Sequence, residues 1–186
     1  MPKILCDVKQ QLFKTTREIL KEGSDCFNMR ALAQRSDIAL GTIYNYYDSK
    51  VDLIIDMISQ QWEECFYNIE SLACQDFFLS MEKLYFHIYS HLRNFESDWL
   101  KLLATLSIKE KLVARRVEKK YMDRMLDLIG LFLSKDKELL SSLVVQKFGL
   151  ERISRYIFDN FMNMLKTDNK DFSFLDFILR AIFEKK

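Results

Sequence analysis

Thr42, Tyr44, Asn45 and Tyr46 fall within one short stretch of the chain that also holds Ile43 and Tyr47. On an α-helix successive residues step by about 100°. That step sets Ile43 and Tyr47 on one face and Asn45 opposite, with Thr42 and Tyr46 on one flank and Tyr44 on the other. The outward groups suit the reading of base edges. A side-chain amide donates and accepts at once, so Asn45 can pair bidentately with adenine, and the Thr42 methyl can meet a thymine methyl. Lys50 follows at the start of the next helix, where a full charge and free backbone N–H groups together favour a phosphate.

Other chemistry-bearing residues are less ordered. His87 and His91 are four apart and share a helix face at a metal-compatible spacing, but no third ligand accompanies them, and no metal or cofactor is expected. Cys6, Cys26, Cys65 and Cys74 are scattered, without a CxxC pair, and read as small buried or half-buried thiols in a reducing compartment. Lys109, Lys111, Arg115, Arg116, Lys119 and Lys120 crowd a span shared with Glu110 and Glu118. This reads as a solvated helix face remote from the reading helix. No nucleophile motif or phosphate-cradling glycine loop is present, so the chain is not expected to be an enzyme.

The elements that must position these residues are helical. Four glycines and one proline in 186 residues cannot punctuate an all-β fold, whereas long periodic segments recur throughout. A first helix is predicted from about Leu5 to Glu22, with Leu5, Val8, Leu12 and Ile19 on one face and Gly23 as its stop. Asn28 can cap a second helix, Met29 to about Ser36, and a tight turn at Asp37-Ile38-Ala39 leads into a third helix ending near Tyr47. Ala33 supplies the small residue needed where the two helices cross, while Ile38 and Ile43 pin the turn. Asp48 or Ser49 can cap a long fourth helix carrying Leu53, Ile54, Met57, Ile58, Trp62 and Phe66. Further helices are predicted at Asp76–Asn94, Ser97 to about Ser107, Ile108–Leu133, Glu138–Phe148, Leu150–Lys166 and Phe172–Glu184. The predicted organisation is a head at 1–50 and a larger regulatory and dimerisation body at 51–186.

Phe27, Leu32-Ala33 and the run Gly41-Thr42-Ile43-Tyr44-Asn45-Tyr46-Tyr47-Asp48-Ser49-Lys50-Val51-Asp52-Leu53 resemble the DNA-binding domain of TetR-type transcription regulators. The resemblance covers the first 55 to 60 residues or so. It implies an all-α subunit of nine or ten helices with an amino-terminal helix-turn-helix, dimerisation through the last two long helices, and repression relieved by a small ligand. Carried over by position, it places Leu40, Gly41, Thr42 and Asn45 near base edges and Tyr44 and Tyr46 on phosphates or bases. Asn28 and Lys50 then grip phosphates. Two residues depart from the family pattern. Asp37 stands where relatives often have glycine, and Tyr47 stands where phenylalanine is usual, leaving a hydroxyl that needs a partner or solvent.

The body offers an aromatic-rich candidate pocket for an apolar or aromatic effector: Trp62, Phe66, Tyr85, Tyr89, Trp99 and Leu103, with Tyr121 and Met125 opposite. Such a stripe also packs an ordinary core. Ile153, Ile157 and Phe161, then Leu175, Ile178 and Ile182, are predicted at the dimer interface, since the last two helices carry more apolar area than one packed face needs. The expected partners are a palindromic double-stranded DNA operator, a second copy of the chain and a small-molecule effector. The alternative is an activator or architectural factor whose body docks a protein instead of a small molecule. No segment has the charge-free length of a membrane span, and a net charge of +1 gives no broad basic surface, so a cytoplasmic site and recognition by local pattern are expected.

Overall fold

In the computed structural model of the chain, residues 3–23 and 26–183 are described, without the side chains of 3–7 and 94–104. Helices follow one another along the whole described length, and no strand occurs among the described residues. The order is α1 Lys3–Glu22, α2 Met29–Ser36, α3 Leu40–Tyr46, α4 Lys50–Phe66, a 3₁₀ segment Ile69–Leu72, α5 Phe77–Ala104, α6 Ile108–Lys135, α7 Lys137–Leu140, α8 Leu143–Phe148, α9 Leu150–Lys166 and α10 Ser173–Phe183. No helix among the described residues is long and apolar enough to cross a membrane.

Two compact units share the chain. The first holds residues 1–64 and 93–118, so it contains the segment 1–50 together with most of α4 and the joined ends of α5 and α6. Its core includes Leu12, Ile19 and Leu20 of α1, Leu32 of α2, Ile43 of α3, and Leu53, Ile54, Met57 and Ile58 of α4, all buried. The second unit holds residues 65–92 and 119–186. Its interior is aromatic: Tyr85 lies edge-on to Phe161 at 5.1 Å between ring centroids and tilted against Phe172 at 5.3 Å.

Local signals explain most boundaries. Asn28 accepts hydrogen bonds from the backbone N–H groups of Arg30 and Ala31, at 3.1 and 2.9 Å, and so starts α2. Asp37 ends it in the left-handed conformation, with φ 54° and ψ 33°. The N–H groups of Asp37 and Ile38 both donate to Ala33 O, closing the helix in the manner of a Schellman turn. Ser49 and Asp52 form a reciprocal cap at the head of α4: the Ser49 hydroxyl donates to the Asp52 carboxylate and accepts from the Asp52 N–H.

Two predicted boundaries are corrected. Glu96-Ser97-Asp98 does not interrupt a helix; α5 runs unbroken for 28 residues. Polar residues suggest a cap, yet this trio contains neither glycine nor proline, so nothing forces the backbone out of α-geometry. Conversely, the predicted helix Glu138–Phe148 divides into α7 and α8 at Ser141-Ser142. Both hydroxyls bond backward to backbone carbonyls, Ser141 to Lys137 and Ser142 to Leu139, and Ser142 itself takes extended φ/ψ.

Because Asp37 is exposed, its backbone conformation rather than its packing sets its tolerance to change. Asp37→Val is expected to cost roughly 1–2 kcal/mol, read as a lower denaturant midpoint, whereas Asp37→Gly is expected to hold or raise that midpoint.

Candidate nucleic-acid interface

The third helix has only seven residues, far below the roughly 12–15 at which an isolated helix is stable in water. Its orientation therefore comes from what it buries. Ile43 is fully buried and Tyr47, at its end, is 4% exposed. Gly41, Thr42, Tyr44 and Asn45 are exposed on the other side, while Leu40 and Tyr46 are half-buried at the margins. The division matches the 100° steps read from sequence, with the polar groups outward.

Tyr47 is held by chemistry as well as by packing. Its hydroxyl donates to Asp56 Oδ2 at 2.7 Å, and Lys9 Nζ donates to the same oxygen at 2.7 Å. The Lys9 ammonium also stands 5.6 Å from the centre of the Tyr47 ring. One carboxylate thus ties α1, the end of α3 and the middle of α4. Burial first, and then the Asp56 carboxylate, push the Tyr47 phenol far above its ordinary range, so it remains a donor at any working pH. A second strut comes from Gln11, whose side-chain amide donates to Ser36 O at 2.6 Å, satisfying a carbonyl at the end of α2. Sequence reading foresaw that the Tyr47 hydroxyl needs a partner but not which one: Lys9 and Asp56 are 47 positions apart, and no local pattern announces such a pair.

The expected phosphate contacts are placed as follows. Asn28 is exposed at the start of α2, where its side-chain oxygen caps the helix. Lys50 is half-buried at the start of α4, and its ammonium donates to Thr105 O at 2.8 Å while standing 5.6 Å from the centre of the Phe27 ring. Desolvation lowers the Lys50 pKa, and the nearby Glu110 carboxylate works against that shift. The corner between α5 and α6 therefore sits against the start of α4.

The residues expected to line an effector pocket are placed as follows. Phe66 stacks on Tyr121, with centroids 6.0 Å apart, and the Arg124 guanidinium lies 4.7 Å from the Phe66 ring centre. Met125, one turn beyond Tyr121, is fully buried. Tyr85 and Tyr89 stack on each other along α5, and their hydroxyls reach the Asn169 carbonyl and the Asp168 carboxylate. Trp62 is buried in the first unit, and the side chains of Trp99 and Leu103 lie outside the described residues. His87 donates through Nε2 to Cys65 O at 2.7 Å, since a carbonyl can only accept. Burial pushes the Cys65 thiol up to about 12, which leaves it an inert apolar filler. Cys74 is half-buried, but Cys26, expected to be at least half-buried, is exposed just before α2.

Among the residues predicted at the dimer interface, Ile153, Ile157, Phe161 and Leu175 are buried inside the chain itself, and Phe161 is spent against Tyr85. Ile178 and Ile182 are half-exposed. The most exposed apolar groups of α9 and α10 are Tyr156, Phe174 (71% exposed) and Phe177 (66% exposed), and Ile153, Ile157 and Ile182 line an apolar cleft. Periodicity showed that these helices had apolar area to spare but not which stripe faced the core.

No family model matches the chain. Within the amino-terminal region, a stretch of 43 residues is 42% identical to the HTH-type transcriptional repressor KstR of Rhodococcus jostii (strain RHA1). It is also 42% identical over 43 residues to the repressor of the same name from Mycolicibacterium smegmatis (strain ATCC 700084 / mc(2)155). The match takes in 23% of this chain and covers only 20% and 21% of those two relatives. The whole fold is similar to the crystal structure of a protein from Shewanella sp. PV-4 assigned to the TetR family of transcription regulators. The TM-score is 0.55 at 14% identity, covering 93% of this chain and 88% of that one.

Replacing Tyr47 by phenylalanine keeps the ring and removes the donor to Asp56. A loss of about 1–2 kcal/mol in urea unfolding is expected, whereas Asn45→Ala, on the exposed face, is expected to leave the same curve unmoved.

Proposed function

We propose that this chain, which has the architecture of the TetR family of transcription regulators, is a dimeric repressor that reads a palindromic operator with α3. The observation that carries the reading is the polarity of that helix. A rod pinned by Ile43 and Tyr47 presents Gly41, Thr42, Tyr44 and Asn45 outward, and a major groove accepts such a rod. Gly41 carries no side chain, and a Cβ there would meet nothing within 4 Å, so the glycine leaves the backbone open to close approach from outside. Leu40 and Tyr46 flank the base-reading residues, and Asn28 and Lys50 supply phosphate contacts at the starts of α2 and α4. Lys50 exchanges the Thr105 carbonyl for a phosphate oxygen as it does so.

Dimerisation follows from the outward apolar groups of the last helices. Tyr156, Phe174 and Phe177 are exposed there, and an apolar cleft of about 270 Å³ opens among Val144, Phe148, Ile153 and Ile182. A two-fold interface on this face buries them and pairs two reading helices about 34–36 Å apart. Release by an apolar or aromatic effector in the second unit, near Phe66, Tyr121 and Met125 or near Tyr85 and Tyr89, completes the reading. A nearly complete switch requires the effector to prefer the DNA-free state by about 5.5 kcal/mol.

Selection of bound duplexes from random DNA is expected to return an inverted repeat with half-sites one helical turn apart. Asn45→Ala is expected to relax the preference at one base pair of each half-site by about 1–3 kcal/mol. Selection without any enriched sequence would refute the reading of α3. Phe174→Glu combined with Phe177→Glu is expected to give a folded monomer in analytical ultracentrifugation, with operator affinity lost alongside the dimer.

A further inference from the structure

The bond from Lys50 to Thr105 brings a second charged surface beside the reading head. Thr105 ends the corner from which α6 departs, and Ser107 and Glu110 cap that helix: the Ser107 N–H donates to the Glu110 carboxylate at 2.6 Å. Glu110 is thus already engaged, both by the cap and by the charge of Lys50. Lys109 and Arg116 are exposed on one flank of the same helix, about 100–120° round from Glu110, and Arg115 is exposed on the other flank, all within the first unit, and Ile108 is 82% exposed beside them. None of these three cations takes part in an ion pair or hydrogen bond with a described residue.

We infer that the start of α6 is an accessory surface for the DNA backbone, with Lys109 and Arg116 engaging phosphates that flank the segment read by α3. Lys109 and Arg116 are seven residues apart and therefore on one helix face, separated by roughly 10 Å along the axis. That separation corresponds to about three base steps at 3.4 Å each. The inference rests on the proposed reading of α3, because Lys50 is the residue common to both surfaces. An acidic protein would match the same charges and the exposed Ile108 and Leu112. Continuity through Lys50 with a face already turned to DNA favours the nucleic acid.

The test uses the full chain and a duplex carrying the selected operator with about one helical turn of flanking DNA on each side. Fluorescence anisotropy is read from about 50 to 200 mM salt. Lys109→Gln with Arg116→Gln is expected to preserve the sequence preference while making the dependence of log K on log salt shallower by about 0.9 for each phosphate no longer neutralised. Lys109→Arg with Arg116→Lys is expected to restore the slope. An unchanged slope in the Gln variant, with Asn45→Ala still relaxing the preference, overturns this inference alone and leaves an acidic protein as the occupant of the face. A wild-type chain that binds no duplex overturns both readings together.

Discussion

A helix of seven residues cannot hold its own shape or aim, so the candidate interface depends on what grips α3 from behind. Two groups do so: Ile43, which is fully buried, and Tyr47, whose ring is buried and whose hydroxyl is bonded. Asp56 is the common acceptor for Tyr47 and Lys9. Because one carboxylate receives both, Asp56 links α4 to α1 and to the end of α3. A phenylalanine at this place gives burial without the bond. The tyrosine adds direction, since a hydrogen bond weakens steeply when its angle changes and an apolar contact does not.

Much of the first unit was legible in the chain because its signals are local. Asn28 before Met29, Asp37 at a left-handed position and Ser49 with Asp52 act within four residues of themselves, and each lies where its chemistry places it. Alternation at helical pitch likewise separated Ile43 and Tyr47 from Asn45. What sequence could not supply were the contacts between distant positions: Lys9 with Asp56, Gln11 with Ser36, and Lys50 with Thr105. Their partners are chosen by packing, and nothing about a lysine in isolation names its acceptor.

The second unit shows the same limit differently. Alpha-helical periodicity in α9 and α10 is strong, yet it fixes only the angle between stripes and not which stripe meets the core. Phe161 and Leu175 are buried within the chain, Phe161 against Tyr85, while Ile153 and Ile157, largely buried, also line the apolar cleft beside α10. The outward groups, Phe174 and Phe177, lie three apart on the other side of α10. Ser141-Ser142 went unread as a break because serine is compatible with a helix until both hydroxyls turn back to carbonyls of the preceding turn.

The bond between Lys50 and the Thr105 carbonyl also bears on the entropy of recognition. A free lysine surrenders up to about 2 kcal/mol of rotamer freedom when a ligand immobilises it. In this chain the ammonium stands over the Phe27 ring and is bonded to the Thr105 carbonyl, so folding has already absorbed much of that loss. On the proposed reading, a phosphate replaces the carbonyl as acceptor of an arm that is already confined, so less rotamer freedom is left to lose than for an exposed, freely rotating lysine.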